Sequence, residues 1–206
     1  MPSFDAILVD AGTGNLHSVQ NALESLGFRI LLTADPDKLS LPARVILPGV
    51  GAFGSFMDGL QSHRLIEPLK LAARRGDPFL GICVGMQALF ETSQEMGIHA
   101  GLGLIPGRVQ RFPDFAGLKV PHTGWNQLWQ DKSSVLMQSI QNGSYAYFNH
   151  SYYCAPTDLA TTLTHTDYGL NYSSSVQVDN IFGVQFHPEK SQRVGLTLLA
   201  NFFKVT

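Results

Sequence analysis

The sequence is poor in cysteine, in charge and in long apolar runs. Only two of its 206 residues are cysteines, Cys83 and Cys154, which is too few for the disulfide framework of a small secreted protein. Charged residues make up 15% of the chain and the formal net charge is −2, so the basic face that nucleic-acid binding requires is missing. No apolar run approaches the roughly 18–20 residues that span a bilayer. These absences argue against a disulfide scaffold, a nucleic-acid-binding protein and a membrane protein.

Other absences concern targeting, metals and domain boundaries. The first residues lack the basic stretch and cleavable apolar region of a signal peptide, so we expect a reducing, cytoplasmic setting with both thiols free. Spacings such as H-x-x-x-H and C-x-x-C do not occur, and we predict neither a metal nor a cofactor. A globular composition without a long Pro/Gly/Ser linker predicts one domain over residues 1–206.

In the first half, short apolar runs alternate with segments of helical periodicity. Strands are predicted at residues 6–9, 29–33, 44–47 and 78–82, and helices at residues 16–26 and 65–75. Asn15 is a candidate N-cap of the first helix, and Gly27 a candidate stop. Strands that are apolar on both faces and alternate with helices indicate a parallel sheet covered on both sides.

The second half has a different pattern, in which strand-like segments follow one another closely. They lie at residues 109–112, 145–149, 160–165, 176–178 and 181–186, and a final helix is predicted at residues 191–203. We expect these strands to join the same sheet in mixed or antiparallel order. The predicted fold class is therefore α/β, with a mixed, mostly parallel central sheet flanked by helices.

The segment Gly81–Gly85 (GICVG) is the cysteine version of the G-x-S-x-G nucleophile elbow. An apolar strand precedes it, and residues 86–90 are expected to continue as a helix. Such a turn strains the backbone of Cys83, favours its thiolate near a helix N-terminus and directs the N–H of Val84 towards an oxyanion. A cysteine in an apolar stretch is also often an inert small hydrophobe, so this pentapeptide alone leaves both readings open. Cys154 lacks such a frame and is predicted to be structural.

A thiol nucleophile needs a general base, and the base needs an orienting group. His187 follows an apolar strand, and Pro188 disfavours helix there, so an extended segment would place His187 and Glu189 on one face. The carboxyl ends of parallel strands meet at one edge, which would bring this pair to Cys83. Five other histidines lack both features and are expected at the surface or in loops: His17, His63, His99, His122 and His165. His150 lies in a strand-like segment and is left open.

Taken together, Gly81–Gln87 (GICVGMQ) and Gln185–Glu189 (QFHPE) resemble the signature motifs of class I, or triad-type, glutamine amidotransferases, which have a flavodoxin-like fold. The resemblance implies a catalytic triad of Cys83, His187 and Glu189 and a γ-glutamyl thioester intermediate.

The same resemblance implies roles for residues around the triad. Backbone N–H groups of Val50, Gly51 and Val84 would form the oxyanion hole, and the glycines beside Val50 would make a peptide flip cheap. We hypothesise that a partner gates the site through such a flip. Substrate L-glutamine would be bound by Gln87, Gly49, Asn149, His150, Ser151 and Tyr152.

Four further stretches resemble one subfamily, the glutaminase subunits of imidazole glycerol phosphate synthase of histidine biosynthesis. They are Asp10–Leu16, Leu47–Phe53, Pro121–Asn126 and Tyr147–Tyr153. Asn149 departs from that subfamily, which often has an apolar residue there. The resemblance implies a heterodimer with a (β/α)8-barrel cyclase subunit that receives the ammonia, with Asn15, Trp125 and Asn126 at the interface.

Two readings of other classes stay open. The same triad would suit a stand-alone γ-glutamyl hydrolase, which would be active on larger γ-glutamyl substrates without a partner. A non-catalytic, flavodoxin-like module could instead use Cys83 as a thiol sensor, and its function would survive the loss of His187. The segment Gly12–Asn15 does not indicate a dinucleotide-binding protein, because the third glycine of that fingerprint is missing; a tight strand-to-helix turn is its simpler reading.

Overall fold

The computed structural model describes residues 4–13, 15–114 and 117–205. Two predictions fall partly on residues outside these ranges: the lack of a signal peptide, which concerns residues 1–3, and the turn at Gly12–Asn15, which includes Gly14. Gly12 itself has the positive φ, 76°, that a tight turn requires. Within the described ranges, no helix is long and apolar enough to cross a membrane.

The described residues form five α-helices and thirteen β-strands. The helices are α1 (Leu16–Ser25), α2 (Phe53–Ser62), α3 (Ile66–Arg75), α4 (Val84–Gln87) and α5 (Gln192–Phe202). The strands are β1 (Ala6–Val9), β2 (Ile30–Thr33), β3 (Arg44–Gly49), β4 (Phe79–Cys83), β5 (Phe90–Ser93), β6 (His99–Ala100), β7 (Ile105–Arg111), β8 (His122–Gln130), β9 (Ser144–His150), β10 (Tyr152–Pro156), β11 (Thr162–Asp167), β12 (Asn171–Val178) and β13 (Ile181–Val184).

Nine strands form a mixed central sheet in the order β2-β1-β3-β4-β13-β12-β11-β8-β9. The first five strands of this order are parallel to their neighbours, and the remaining pairs are antiparallel. The mixed α/β sheet expected from the sequence is therefore confirmed, with the parallel part covering five of the nine strands.

The inner parallel strands are mostly apolar, as expected for a parallel sheet that is covered on both faces. β1 and β4 are buried at every residue. The helices present amphipathic faces to them: α1 buries Val19 and Leu23, and α5 buries Leu198 and Leu199. The carboxyl ends of β1, β3, β4 and β13 meet at one edge of the sheet, and this edge carries the site described below.

Four strands form a second sheet in the order β10-β7-β5-β6, which the sequence did not predict. The segment 109–112 was expected in the central sheet, but residues 109–111 belong to β7 of this second sheet and Phe112 follows it. The helix expected over residues 86–90 is present but ends earlier than predicted, since α4 ends at Gln87 and Phe90 already pairs with Ile105. Backbone N–H groups of Leu104 and Ile105 donate to the carbonyl of Leu89 and turn the chain away from the helix axis.

Candidate active site

Cys83 is the last residue of β4 and lies at the sharp turn into α4. Its backbone has φ 55° and ψ −112°, a strained conformation for a residue that is not glycine. Three glycines around it allow the close packing that this turn needs. A Cβ atom on Gly85 would lie 1.8 Å from the carbonyl oxygen of Leu47, and one on Gly81 would lie 2.6 Å from that of Gly85. On Gly49 it would lie 2.6 Å from the ring of Phe56.

His187 and Glu189 make the contact that the sequence predicted. Nδ1 of His187 lies 3.0 Å from Oε1 of Glu189, and both side chains are almost completely buried. The reason differs from the prediction, because residues 188–190 form a single 3-10 turn instead of an extended segment. The backbone N–H of His187 donates to the carbonyl of Tyr147 (2.9 Å), and the hydroxyl of Ser191 donates to the carbonyl of His187 (2.7 Å), which fixes the base in place.

The environment of His187 favours the imidazolium form. Burial lowers the pKa of His187, but hydrogen bonds with Cys83 and Glu189 and the negative charge of both partners raise it, and the net pKa is about 10. At neutral pH the ring is therefore charged, and it lies between the side chains of Glu189 and Cys83. This arrangement suits a proton donor for a leaving amine.

A cavity of about 470 Å³ opens at the carboxyl edge of the parallel strands. Most of the residues predicted for the site line it: Asn15, Val50, Gly51, Cys83, Val84, Gln87, Asn149, His150, Ser151, Tyr152 and His187. Glu189 lies behind His187, and Gly49 pairs with Cys83 in the adjacent strand without lining the cavity. Trp125 and Asn126 lie elsewhere on β8.

Three residues that line the cavity were not predicted: Glu95, Pro121 and Lys190. Glu95 follows β5 in the second sheet, and its Oε2 accepts a hydrogen bond from the backbone N–H of Phe53 at the start of α2 (2.7 Å). No sequence pattern connects Glu95 with Cys83, since only the second sheet brings them together. The position of Lys190 near the site could have been inferred from the sequence, because Lys190 directly follows Glu189.

Two buried histidines contact each other beside the cavity: His150 lines it, and His122 lies next to His150. Nδ1 of His122 lies 3.2 Å from Nε2 of His150, and both atoms lie 3.2 Å from the hydroxyl of Tyr172. Burial lowers the pKa of His122 to about 4, and burial is also the main cause that lowers the pKa of His150 to about 3. The expected surface or loop position of His122 was therefore wrong: it points inward from the first residue of β8, a strand that the sequence did not reveal.

Two residues predicted at a partner interface, Trp125 and Asn126, differ in solvent exposure. Trp125 is 46% exposed, as an interface residue would be in the free chain. Asn126 is half-buried, and its side-chain amide donates to the carbonyl of Asp167 (2.8 Å). Asn126 therefore has a structural contact of its own, and an interface role for either residue stays a prediction.

Cys154 lies in the middle of β10, fully buried, and burial raises the pKa of its thiol well above the ordinary value. An inert structural role, as predicted, agrees with this environment. In the ranges 4–13, 15–114 and 117–205, no group of three or more His, Cys, Asp or Glu side chains is arranged to hold a metal ion.

The strained cysteine, the His–Glu pair and the α/β sheet together define a class of protein, and sequence comparison identifies it. The family profile described as "Glutamine amidotransferase class-I" matches residues 7–206. The chain therefore belongs to the class I glutamine amidotransferase family.

Within this family, the relatives are more specific. The chain is 49% identical to the imidazole glycerol phosphate synthase subunit HisH of Moorella thermoacetica over 195 residues, which cover 95% of this chain and 92% of the relative. It is 46% identical to the HisH subunit of Aquifex aeolicus over 197 residues, covering 95% and 94%. The chain thus belongs to the HisH group of amidotransferases.

Solved structures of distant relatives share the fold. PurLQS from Thermotoga maritima superposes with a TM-score of 0.75 at 20% identity, covering 97% of each chain. A structure described as a glutamine amidotransferase superposes with a TM-score of 0.74 at 17% identity, covering 97% of this chain and 98% of the other. At these identities the likeness concerns the fold alone, and it agrees with the mixed central sheet flanked by helices.

Proposed function

We propose that this chain hydrolyses L-glutamine to glutamate and ammonia with Cys83 as the nucleophile, as the glutaminase subunit of an imidazole glycerol phosphate synthase in histidine biosynthesis. One observation carries the chemistry: the strained Cys83 and His187, whose ring contacts the buried Glu189, line the same cavity at the edge of the parallel sheet. The identity to HisH subunits supports the place in histidine biosynthesis.

The reaction proceeds by acyl transfer in two halves. The thiolate of Cys83 attacks the carboxamide carbon of glutamine, and an S–C bond forms. The imidazolium of His187 gives its proton to the nitrogen, the C–N bond breaks and ammonia leaves. Neutral His187 then takes a proton from water, the hydroxide attacks the thioester and the S–C bond breaks, which releases glutamate and restores the thiolate and imidazolium. Glu189 keeps the ring oriented throughout.

Two sets of groups would hold the substrate. The backbone N–H of Val84, together with those of Val50 and Gly51 across the cavity, would bind the oxyanion of the tetrahedral intermediate. The amino-acid end would bind to the segment Asn149–Tyr152 and to the neighbouring Gln87, whose side-chain NH₂ donates to the carbonyl of Tyr152 (3.1 Å). Glu95 adds a carboxylate to the same cavity, which suits the substrate's ammonium group.

The proposed function includes a partner, a (β/α)8-barrel cyclase subunit that receives the ammonia. A path of contacts supports the coupling of an outer surface to the base. The ring of Trp125 packs edge-on against Tyr147 with centroids 6.0 Å apart, and the carbonyl of Tyr147 accepts from the N–H of His187. A partner that binds over Trp125 would contact β8 next to Tyr147 of β9, the residue whose carbonyl accepts the hydrogen bond from His187.

Glutamate release from glutamine, measured with and without the cyclase and its ligand, tests the proposal. We expect weak activity of the chain alone, a strong rise with the cyclase, and loss of activity in Cys83→Ser and His187→Asn. Matched controls are Cys154→Ser, at the other free cysteine, and His17→Asn, at an exposed histidine; both should retain activity.

Each rival reading gives a distinct result in this assay. Strong partner-free hydrolysis of larger γ-glutamyl compounds would identify a stand-alone γ-glutamyl hydrolase instead. No glutamate from the wild type under any condition, with a redox response of Cys83 that survives His187→Asn, would identify a thiol-sensing module. Equal glutaminase rates with and without the cyclase would remove the gating part alone.

A further inference from the structure

Gln185 lies directly beside the nucleophile because of the register of two parallel strands. β13 pairs with β4 so that its last residue, Val184, lies opposite Ile82; the residues that follow along the chain are Gln185 and Cys83. The side chain of Gln185 is completely buried, and its backbone N–H donates to the carbonyl of Ser174 (2.9 Å). A buried amide needs hydrogen-bond partners, so the partners of this side chain show what it does there.

The hydrogen bonds of its neighbours fix the orientation of this amide. The backbone carbonyl of Tyr152 can only accept a hydrogen bond, so the group of Gln87 that lies 3.1 Å from it must be the NH₂. The same NH₂ lies 3.1 Å from the side chain of Gln185, which must therefore present its carbonyl oxygen. The NH₂ of Gln185 is then left facing the nucleophile, with Nε2 3.8 Å from Sγ of Cys83.

We propose that Gln185 is a positioning residue for the nucleophile: its side-chain NH₂ donates a hydrogen bond to Sγ of Cys83, stabilising the thiolate and fixing its direction, while Gln87 holds the amide in this orientation. This inference rests on the proposed function, because it takes Cys83 as the nucleophile. It also gives Gln87 a second role, since the residue expected to touch glutamine would orient the donor to the thiolate.

The ionisable groups around Cys83 also influence the pKa of its thiol, so the effect of Gln185 must be separated from theirs. They lie on the turn after β13, after β5 and along the strands β9 and β10: His187, Glu189, Lys190, Glu95, His150, Tyr152 and Cys154. His187 contributes the nearest positive charge, and its pKa is raised to about 10. Gln185 is neutral at every pH, so its removal leaves this set of charges unchanged. A change in the pH dependence of the thiol would then report the hydrogen bond.

Two variants separate the hydrogen bond from packing. Gln185→Leu fills a similar volume but has no hydrogen-bond donor. We expect the midpoint of the pH profile of Cys83 alkylation to rise by about one pH unit, because losing a hydrogen bond to a charged group changes a pKa by about this much. Gln185→Glu keeps the oxygen that accepts from Gln87 but replaces the donor with an acceptor. We expect a larger upward shift there, because a carboxylate also repels the thiolate.

The experiment measures the rate of Cys83 alkylation by iodoacetamide across pH, resolved by peptide mass spectrometry so that Cys154 is read separately. Glutamine turnover of the complex with the cyclase is measured in parallel, and we expect Gln185→Leu to lower kcat about tenfold with little change in KM. Gln61→Leu, at an exposed glutamine of α2, is the matched control and should change neither readout. Thermal melting confirms that each variant is folded.

The outcomes distinguish the two proposals. A wild type without turnover and without a reactive Cys83 contradicts the proposed function itself. The positioning role alone is overturned if the wild type is active but the folded variants Gln185→Leu and Gln185→Glu have the same alkylation midpoint as the wild type. If Gln185→Leu does not fold, Gln185→Met, which is also uncharged and lacks a donor, takes its place in the comparison.

Discussion

The two cysteines of this chain show how backbone position separates a reactive thiol from an inert one. Cys83 lies at the end of β4 with positive φ, beside a charged histidine and at the wall of a cavity. Cys154 lies within β10, where burial raises the pKa of its thiol. We infer that the strained turn, and not the residue type, makes Cys83 the candidate nucleophile.

At the residue scale, the orienting carboxylate gives the first prediction. Glu189→Gln removes the charge that holds His187, and we expect kcat for glutamine hydrolysis to fall by about 10²- to 10⁴-fold, as for other orienting carboxylates. The fold should persist, because Gln is isosteric with Glu. Steady-state kinetics of the complex at neutral pH measures the effect, and a loss below twofold would contradict the role of Glu189.

The same substitution should change the pH profile. Hydrogen bonding to Cys83 and Glu189 raises the pKa of His187 against burial, so in the wild type the imidazolium persists until about pH 10 and is lost only above it. Above that pH no acid protonates the leaving nitrogen, and the rate should fall. Without Glu189 the pKa of His187 drops, and the descending limb of the profile moves to lower pH. Glu67→Gln, at an exposed glutamate of α3, is the control and should leave the limb in place.

Residues of the site differ in how far they could be predicted. Cys83, His187 and Glu189 lie within two short segments, and each segment carries its own pattern. Glu95 and Gln185 do not: Glu95 reaches the cavity through the second sheet, and the contact of Gln185 with Cys83 depends on the register between β4 and β13. Neither the sheet nor the register can be read from local spacing.

At the scale of elements, the turn between β4 and α4 depends on backbones that approach very closely. We predict that Gly85→Ala is severely destabilising, because the new Cβ would lie 1.8 Å from the carbonyl oxygen of Leu47, and Leu47 cannot move without disturbing the pairing of β3 with β4. The expected loss in the free energy of unfolding is about 3 kcal/mol, at the upper end for overpacking. Urea unfolding measures it.

A matched control for this change lies on α2. In Gly54→Ala the nearest atom to the new Cβ is 2.9 Å away, but it belongs to the ring of His99, which can move aside. Alanine also raises helix propensity at this position, so stability should be unchanged or higher. Equal destabilisation by both substitutions would mean that the close approach of Gly85 to Leu47 is not what limits the turn.

Elements with strong local patterns were predicted, and those that depend on distant pairing were not. β1, β3, β4 and the helix α5 lie where apolar runs or helical spacing placed them. The helix α2 was missed although Phe53, Phe56, Met57 and Leu60 have helical spacing, because its two glycines lower helix propensity. Gly59 is there for packing, since a Cβ would lie 2.0 Å from the carbonyl of Ala11.

The missed strand β8 explains a second error. Its residues combine a proline-preceded start, a glycine and polar side chains, and its burial does not follow a regular alternation. The strand forms because β9 and β11 pair with it on either side. Without this strand in view, His122 could not be predicted to point into the interior.

At the scale of the whole molecule, two sheets contribute to one cavity, and residues 1–206 as a single domain remain a prediction. The surface beside the cavity gives the last test. Trp125 and Trp129 lie on the same strand, are 46% and 38% exposed, and form a natural pair of variants. We predict that Trp125→Ala weakens binding to the cyclase by about 30-fold, as for a buried aromatic residue at an interface.

Isothermal titration of each variant with the cyclase measures this affinity. Trp129→Ala should change the dissociation constant little, because only Trp125 packs against Tyr147 on the strand that supports His187. Equal weakening by both substitutions would place the interface along the whole of β8, and no weakening by Trp125→Ala would contradict its predicted interface role.

Ser151 joins the two sheets, because the chain leaves the nine-stranded sheet at His150 and enters the four-stranded sheet at Tyr152. Cys83 belongs to the nine-stranded sheet alone. In the proposed reaction the substrate would span this junction, with its amino-acid end at Ser151 and its carboxamide at Cys83. The distance between Ser151 and Cys83 would then select substrates by their length. Asparagine, one methylene shorter than glutamine, would leave its carboxamide short of the sulfur.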